Sequence, residues 1–255
     1  MKTIHRLMTL CAVLCLMLLP AAALAEIAFG PDLSGVFCYP EGSDETTALY
    51  VYRYCYPQLA GDSDLAALIN TTYAYTAEDA LGFEVPMLAS EMQPGDPQKL
   101  VSISYEITCL TDDHLSLKII KRVTIGGDEV NASTVTSGHV FALSGSGAGR
   151  IVNLPVLLGL LDAEETDEWL LTRQTDKATR YARDMVWERL TGSGKYQVYD
   201  DLTREEFDAS FYPEEDFYLT QDGDICFFLQ AGMVAPEEEG EIGIVISSEE
   251  LLDEM

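Results

Sequence analysis

Positive charge is the scarcest commodity in this chain, with 15 Lys and Arg against 43 Asp and Glu and a formal net charge of −28. Such a surface repels nucleic acid, anionic lipid and anionic wall polymers, which excludes those partners at the level of the whole molecule. Histidine is nearly as rare. Of three in total, only His114 and His139 lie beyond the first 25 residues, and neither has a neighbouring partner for general-base work. There is no Gly-x-Ser-x-Gly elbow, no His-Glu-x-x-His helix, no Cys-x-x-Cys pair and no Lys-Ser/Thr phosphate loop. These absences argue against serine-hydrolase, zinc-protease, zinc-finger, thioredoxin-like and nucleotide-binding chemistry. The glycine-rich run Ser144 to Gly149 therefore reads as a plain connection.

A second long apolar run is also missing. The only one starts after Lys2, His5 and Arg6, extends from Leu7 to Leu19, and ends in small residues at Ala23-Leu24-Ala25. That pattern predicts a secretory signal peptide over residues 1–25, cleaved after Ala25, and hence a secreted or extracytoplasmic protein with no membrane span afterwards. The alternative is an uncleaved anchor, since a span needs about 20 apolar residues. Cleavage would leave 13 basic against 43 acidic residues, a net of −30. From Asp201 onward 17 acids face the single Arg204. A field of that sign steers cationic proteins or divalent cations, or simply keeps a secreted protein soluble.

Four cysteines remain: Cys38, Cys55, Cys109 and Cys226. They allow three pairings or none, and all sit in apolar, strand-like contexts.

The periodicities predict an α+β protein in two parts: a small β-β-α domain over residues 27–89, then a larger mixed domain over 99–255, with antiparallel sheet covered by helices. Ser34 to Tyr39 and Ala48 to Tyr56 read as strands, and Asp62 or Ser63 as the N-cap of a helix that Gly82 and Pro86 punctuate. Lys99 to Thr111, His114 to Ile125 and Val130 to Leu143 read as three further strands, with Gly126-Gly127 breaking the pattern. Leu154 to Leu161 reads as a short helix and Glu164 to Leu190 as a long one, the latter with acids in its first turns. Thr203 to Glu206 resembles a capping box for a short helix within Asp200 to Ser210. The end of the chain carries the clearest local signal. Asp222-Gly223 is a tight-turn dipeptide between Phe217-Tyr-Leu and Ile225-Cys-Phe-Phe-Leu, followed by an acidic loop, a strand over Ile242 to Ile246, and a tail helix.

This terminal segment resembles the end of the RsiV-like extracytoplasmic domain family, which includes lysozyme-sensing anti-sigma factor ectodomains and domains attached to peptidoglycan deacetylases. Further pieces occur in the order expected of that family: Tyr52 to Leu59, Leu68-Ile69-Asn70, Ser102 to Ile107, Leu115 to Leu117, Gly126-Gly127, and Asn153 to Leu158. The resemblance implies a non-catalytic binding module without cofactor, and lysozyme as the cationic partner. The chain departs from the family at two places. Members often carry Gly-Gly-Ala-His-Gly where this chain has Gly126-Gly127-Asp128-Glu129-Val130. A signal peptide also stands where an anti-sigma factor would have its cytoplasmic part.

The candidate partner-contact loops are Gly126, Gly127, Asp128 and Glu129, together with Glu237, Glu238 and Glu239. No catalytic, cofactor-binding or metal-ligating residue is assigned. Asp222-Gly-Asp224 reads as a turn because no twelve-residue calcium loop surrounds it. A cell-envelope accessory domain is the alternative reading. A carbohydrate hydrolase using two of the carboxylates, such as Glu214, Glu215 or Asp216, is the third.

Overall fold

The computed structural model describes residues 27–255, so the proposed signal peptide lies outside the described residues. The fold is α+β. Five strands form one sheet in the order β1 (Leu33–Tyr39), β2 (Tyr50–Tyr56), β3 (Lys99–Leu110), β4 (His114–Ile125), β5 (Ser133–Ala142). A smaller sheet holds β6 (Phe217–Leu219), β7 (Ile225–Leu229) and β8 (Ile242–Ile246) in sequence order.

Every neighbouring pair is antiparallel except β2 and β3, which run parallel. The cause is the helical crossover between them. Parallel neighbours cannot be joined by a tight turn, so the chain returns through α1 (Asp64–Asp79), a π-helical stretch over Ala80–Glu84, and α2 (Val85–Ser90). The strands of the expected β-β-α unit and the first three of the larger unit thus share one sheet. Ser63 caps α1 by accepting from Ala66 N. Gly82 and Pro86 do not end the helix as the sequence suggested. The wider π turn absorbs Gly82, and Pro86 sits in the first turn of α2, where a missing N–H costs little.

Alternation along β5 divides the core. Val140 and Phe141 are adjacent, so their side chains leave opposite faces of the sheet, and each belongs to a different buried cluster. On Phe141's face, Tyr52, Ile103 and Leu117 pack against Ile69, Tyr73 and Ala77 of α1. On Val140's face lie Cys109, the apolar side of the small sheet, and α4 (Glu168–Gly192), after the one-turn helix α3 (Leu154–Leu157). Helix α4 buries Ala178, Ala182, Val186 and Leu190 at a strict four-residue spacing. It starts four residues later than Glu164, because Asp167 accepts from Trp169 N and Leu170 N while Asp162 holds Glu164 in the preceding turn. The capping box is present on α5 (Arg204–Ser210), with Thr203 and Glu206 bonding reciprocally. Ser247 caps the tail helix α6 (Ser248–Glu254).

The small sheet meets the large one by an edge. Leu219 N on β6 donates to the buried Ser116 Oγ on β4 at 2.8 Å, and Thr108 Oγ1 donates to the same oxygen at 2.9 Å. At Gly138 of β5, an added Cβ would lie 1.7 Å from Phe217 O. Backbone therefore rests directly on backbone there. Gly138→Ala is expected to cost about 3 kcal/mol or more, through overpacking against a main chain that cannot yield. Urea unfolding should show this loss, whereas Gly42→Ala, in open space at φ 85°, should lose only the left-handed preference of about 1 kcal/mol.

Candidate functional site

Two loops far apart in sequence converge on one open cleft of about 440 Å³. One wall is the β4–β5 connection, contributing Val130, Asn131 and Ala132, and the other is the β7–β8 connection, contributing Glu237, Glu238 and Glu241. Gly126 and Gly127 take φ of 62° and 75°, which only glycine adopts freely, and so turn the first loop tightly. Asp128 then organises it. Its Oδ1 accepts from Val130 N at 3.1 Å and Asn131 N at 3.2 Å, and its Oδ2 from Asn131 Nδ2 at 2.6 Å, which holds its carboxyl below the usual range. Glu129 is tied to Arg122 at 2.8 Å. These bonds explain why the predicted strand from Val130 begins only at Ser133. They also leave Val130, 93% exposed, at the loop tip.

The structure thus separates the sequence-predicted contact residues by task. Gly126, Gly127, Asp128 and Glu129 form the base of the first loop, while Glu237 and Glu238 line the cleft itself; Glu239 completes the single 3-10 turn over Glu237–Glu239. All seven are solvent-exposed. Among the described residues no cation lies within ion-pairing distance of Glu237, Glu238 or Glu239.

Sequence reasoning missed the floor. Gln230 lays its amide along β5, accepting from Thr136 N at 3.0 Å and donating to Thr136 O at 2.7 Å, as a strand would. Glu241, mostly buried, accepts from Lys118 Nζ at 2.9 Å and from Thr136 Oγ1 at 2.5 Å. Lys118 Nζ also stands 5.3 Å from the centre of the Tyr218 ring. No local pattern marked this cluster, because Lys118 alternates with Leu115, Leu117 and Ile119 and so falls on the other face of β4. The lysine's carboxylate partner lies 123 residues away. With each polar atom engaged, the floor is a rigid brace and holds no free acid or base.

The solved structures place this architecture. Family models and curated proteins yield no match to the chain. A DUF3298 family member from Bacteroides fragilis superposes with a TM-score of 0.50 and 15% identity over 88% of this chain and 91% of that one. The fold is that of a DUF3298 family protein. A second DUF3298 family protein, from Pseudomonas aeruginosa, gives a TM-score of 0.45 at 11% identity over 89% of this chain and 93% of that one. At this divergence the DUF3298 likeness concerns the backbone only.

Within this DUF3298 fold the remaining titratable residues have structural surroundings. His139 is half-buried and stacks on Tyr73, whose hydroxyl lies 3.1 Å from its Nδ1; its partial burial lowers its pKa. His114 is lowered for the same reason, with Asp113 opposing. Among the described residues no group of three or more His, Cys, Asp or Glu is arranged to hold a metal ion. The four cysteines are free thiols.

Asp216 is the exceptional acid. Burial raises it from 3.8 to about 6, Glu215 and Glu214 add to the rise, and the bond from Tyr212 N opposes it. The folded state therefore holds this proton more tightly than the unfolded chain does. That contribution is complete below about pH 4 and is lost as pH climbs through 6, so at neutral pH the ionised carboxylate destabilises the fold. Asp216→Asn should raise stability at pH 7 by about 1 kcal/mol, allowing for partial solvent screening. Thermal melts of both forms between pH 4 and 7 should converge at the acid end and separate at the neutral end.

Proposed function

We propose that this chain is a secreted or surface-retained, non-catalytic binding module of the RsiV-like kind, whose acidic cleft engages a cationic protein. Lysozyme is the partner that the sequence resemblance implies. The observation that carries this reading is the convergence of two loops, roughly a hundred residues apart in sequence, on one cleft whose rim carboxylates have no cation of the described residues within ion-pairing distance. Carboxylates committed to the fold, such as Glu241 and Glu129, hold a lysine or an arginine of the chain. Glu237 and Glu238 do not, and so remain hydrated and available to a basic surface.

Rim charges of this kind act mainly on encounter, raising association rates that fall steeply with salt. Persistence at physiological salt requires a desolvated apolar contact as well. Val130, held out at the loop tip by the Asp128 turn, supplies such a side chain beside the carboxylates.

Binding of Glu26–Met255 to an animal-type lysozyme should persist at physiological salt and exceed binding to an equally cationic unrelated protein. Glu237→Gln with Glu238→Gln should slow association about tenfold with little change in dissociation, and Val130→Ser should speed dissociation instead. Equal binding of the control protein would contradict the reading and favour an envelope accessory role. Turnover of peptidoglycan fragments would contradict it in favour of a hydrolase.

A further inference from the structure

Three of the four sheet edges are closed by groups from elsewhere in the chain. On β5, Gln230 pairs with Thr136 and the Arg150–Val152 segment bonds to Val140 and Ala142. On β8, Arg189 reaches Val245 O and Tyr196 Oη donates to Gly243 O at 2.8 Å. The edge of β6 is set on Ser116. Nothing comparable reaches β1. Among the described residues no side chain, and no backbone group other than those of β2 and Leu49 beside it, bonds to the backbone of Leu33–Tyr39.

Nor does β1 carry the usual defences of an exposed edge. It has no lysine, no proline and no bulge, and its seven residues pair with β2 in unbroken register. Val36 presents an exposed apolar side chain midway along it. The turn after β1 stands beside it and forms the second wall of an open groove, bringing Glu41 and Asp44 to one end of the strand, while Asp32, which accepts from Tyr105 Oη at 2.7 Å, lies at the other. The nearby cation Arg53 is already engaged by Glu45.

We propose that β1 is a docking edge for an extended, basic polypeptide segment of a partner, which adds as a sixth strand. Main-chain bonds to alternate N–H and C=O groups of β1 supply the pairing, Val36 meets an apolar side chain, and basic residues near the segment's ends meet the acids. A second copy of the chain is the disfavoured occupant. Antiparallel pairing of two β1 strands about their centres sets Glu41 and its neighbours against Asp32 of the other copy, within a net charge already strongly negative. This surface is separate from the Glu237–Glu238 cleft, so either can fail without the other.

The test uses Glu26–Met255 and three peptides of about nine residues, long enough to cover β1. The first alternates lysine and valine, the second replaces lysine by glutamate, and the third is the lysine peptide N-methylated at every backbone amide, with the same charge but no main-chain donors on either edge. The lysine peptide should bind at physiological salt and protect β1 amides from hydrogen exchange, and the other two should bind at least tenfold more weakly. Val36→Lys and, independently, Glu41→Lys should each weaken the lysine peptide about tenfold, whereas Glu237→Gln should leave it unchanged. Equal binding of the methylated peptide, protection confined to other segments, or no binding would overturn the proposal. So would a dimer whose β1 amides are protected without peptide.

Discussion

The contact on which the rest of this structure depends is the seating of β6, edge-on, against the face of the large sheet. A buried strand edge is a row of main-chain donors and acceptors that must find partners. Ser116 provides one by accepting from Leu219 N, and Gly138 removes the side chain that would otherwise hold Phe217 O away. Once seated, the small sheet has two different sides. One turns Phe217, Leu219, Ile225 and Phe227 toward the buried stripe of α4. The other turns Tyr218 and Phe228, stacked at 5.9 Å, toward the side on which Lys118 and Gln230 meet β5. The cleft results from that geometry. Its polar floor occupies the angle where one sheet stands on the other, and its two loops are the connections leaving that angle.

The remaining architecture accommodates this arrangement. The parallel junction of β2 and β3 commits the helical crossover to the opposite face, where Tyr56 and Tyr73 stack at 5.2 Å and Phe141 meets Tyr73 edge-on. The two cores are thus separated by a single layer of backbone. Isolated ion pairs on the periphery, such as Lys121 with Glu84, bind elements locally and contribute little to overall stability.

Most of the fold was legible in the sequence because local signals agreed with one another. The alternation in Lys99 to Ile125, the Thr203–Glu206 box and the Asp222-Gly223 turn each specify geometry within a few residues, and all three occur where expected, except that a bulge between Ile107 and Cys109 turns Cys109 to the face opposite Val101 and Ile103. Gly82 and Pro86 misled because their effect depends on whether the chain beyond them stays helical: a helix that resumes can absorb both. The acidic loop after β7 was readable as a loop, but Val130 to Ala132 read as strand, and the convergence of the two segments was not legible. It is created by the β6 docking and by Glu241 reaching Lys118, contacts with no local periodicity. Gly138 likewise offered no turn signal, since its role is to be approached by another strand rather than to bend its own.

The cysteines lead to a different property. Cys109 and Cys226 are buried, Cys38 and Cys55 partly so, all four are free, and burial raises every one of their pKa values. At neutral pH such thiols hold little of the thiolate that attacks disulfides, so they exchange slowly. Among the described residues there is no disulfide. The described fold therefore needs no disulfide-forming catalyst to assemble, and its persistence is set by packing rather than by the oxidising strength of its surroundings.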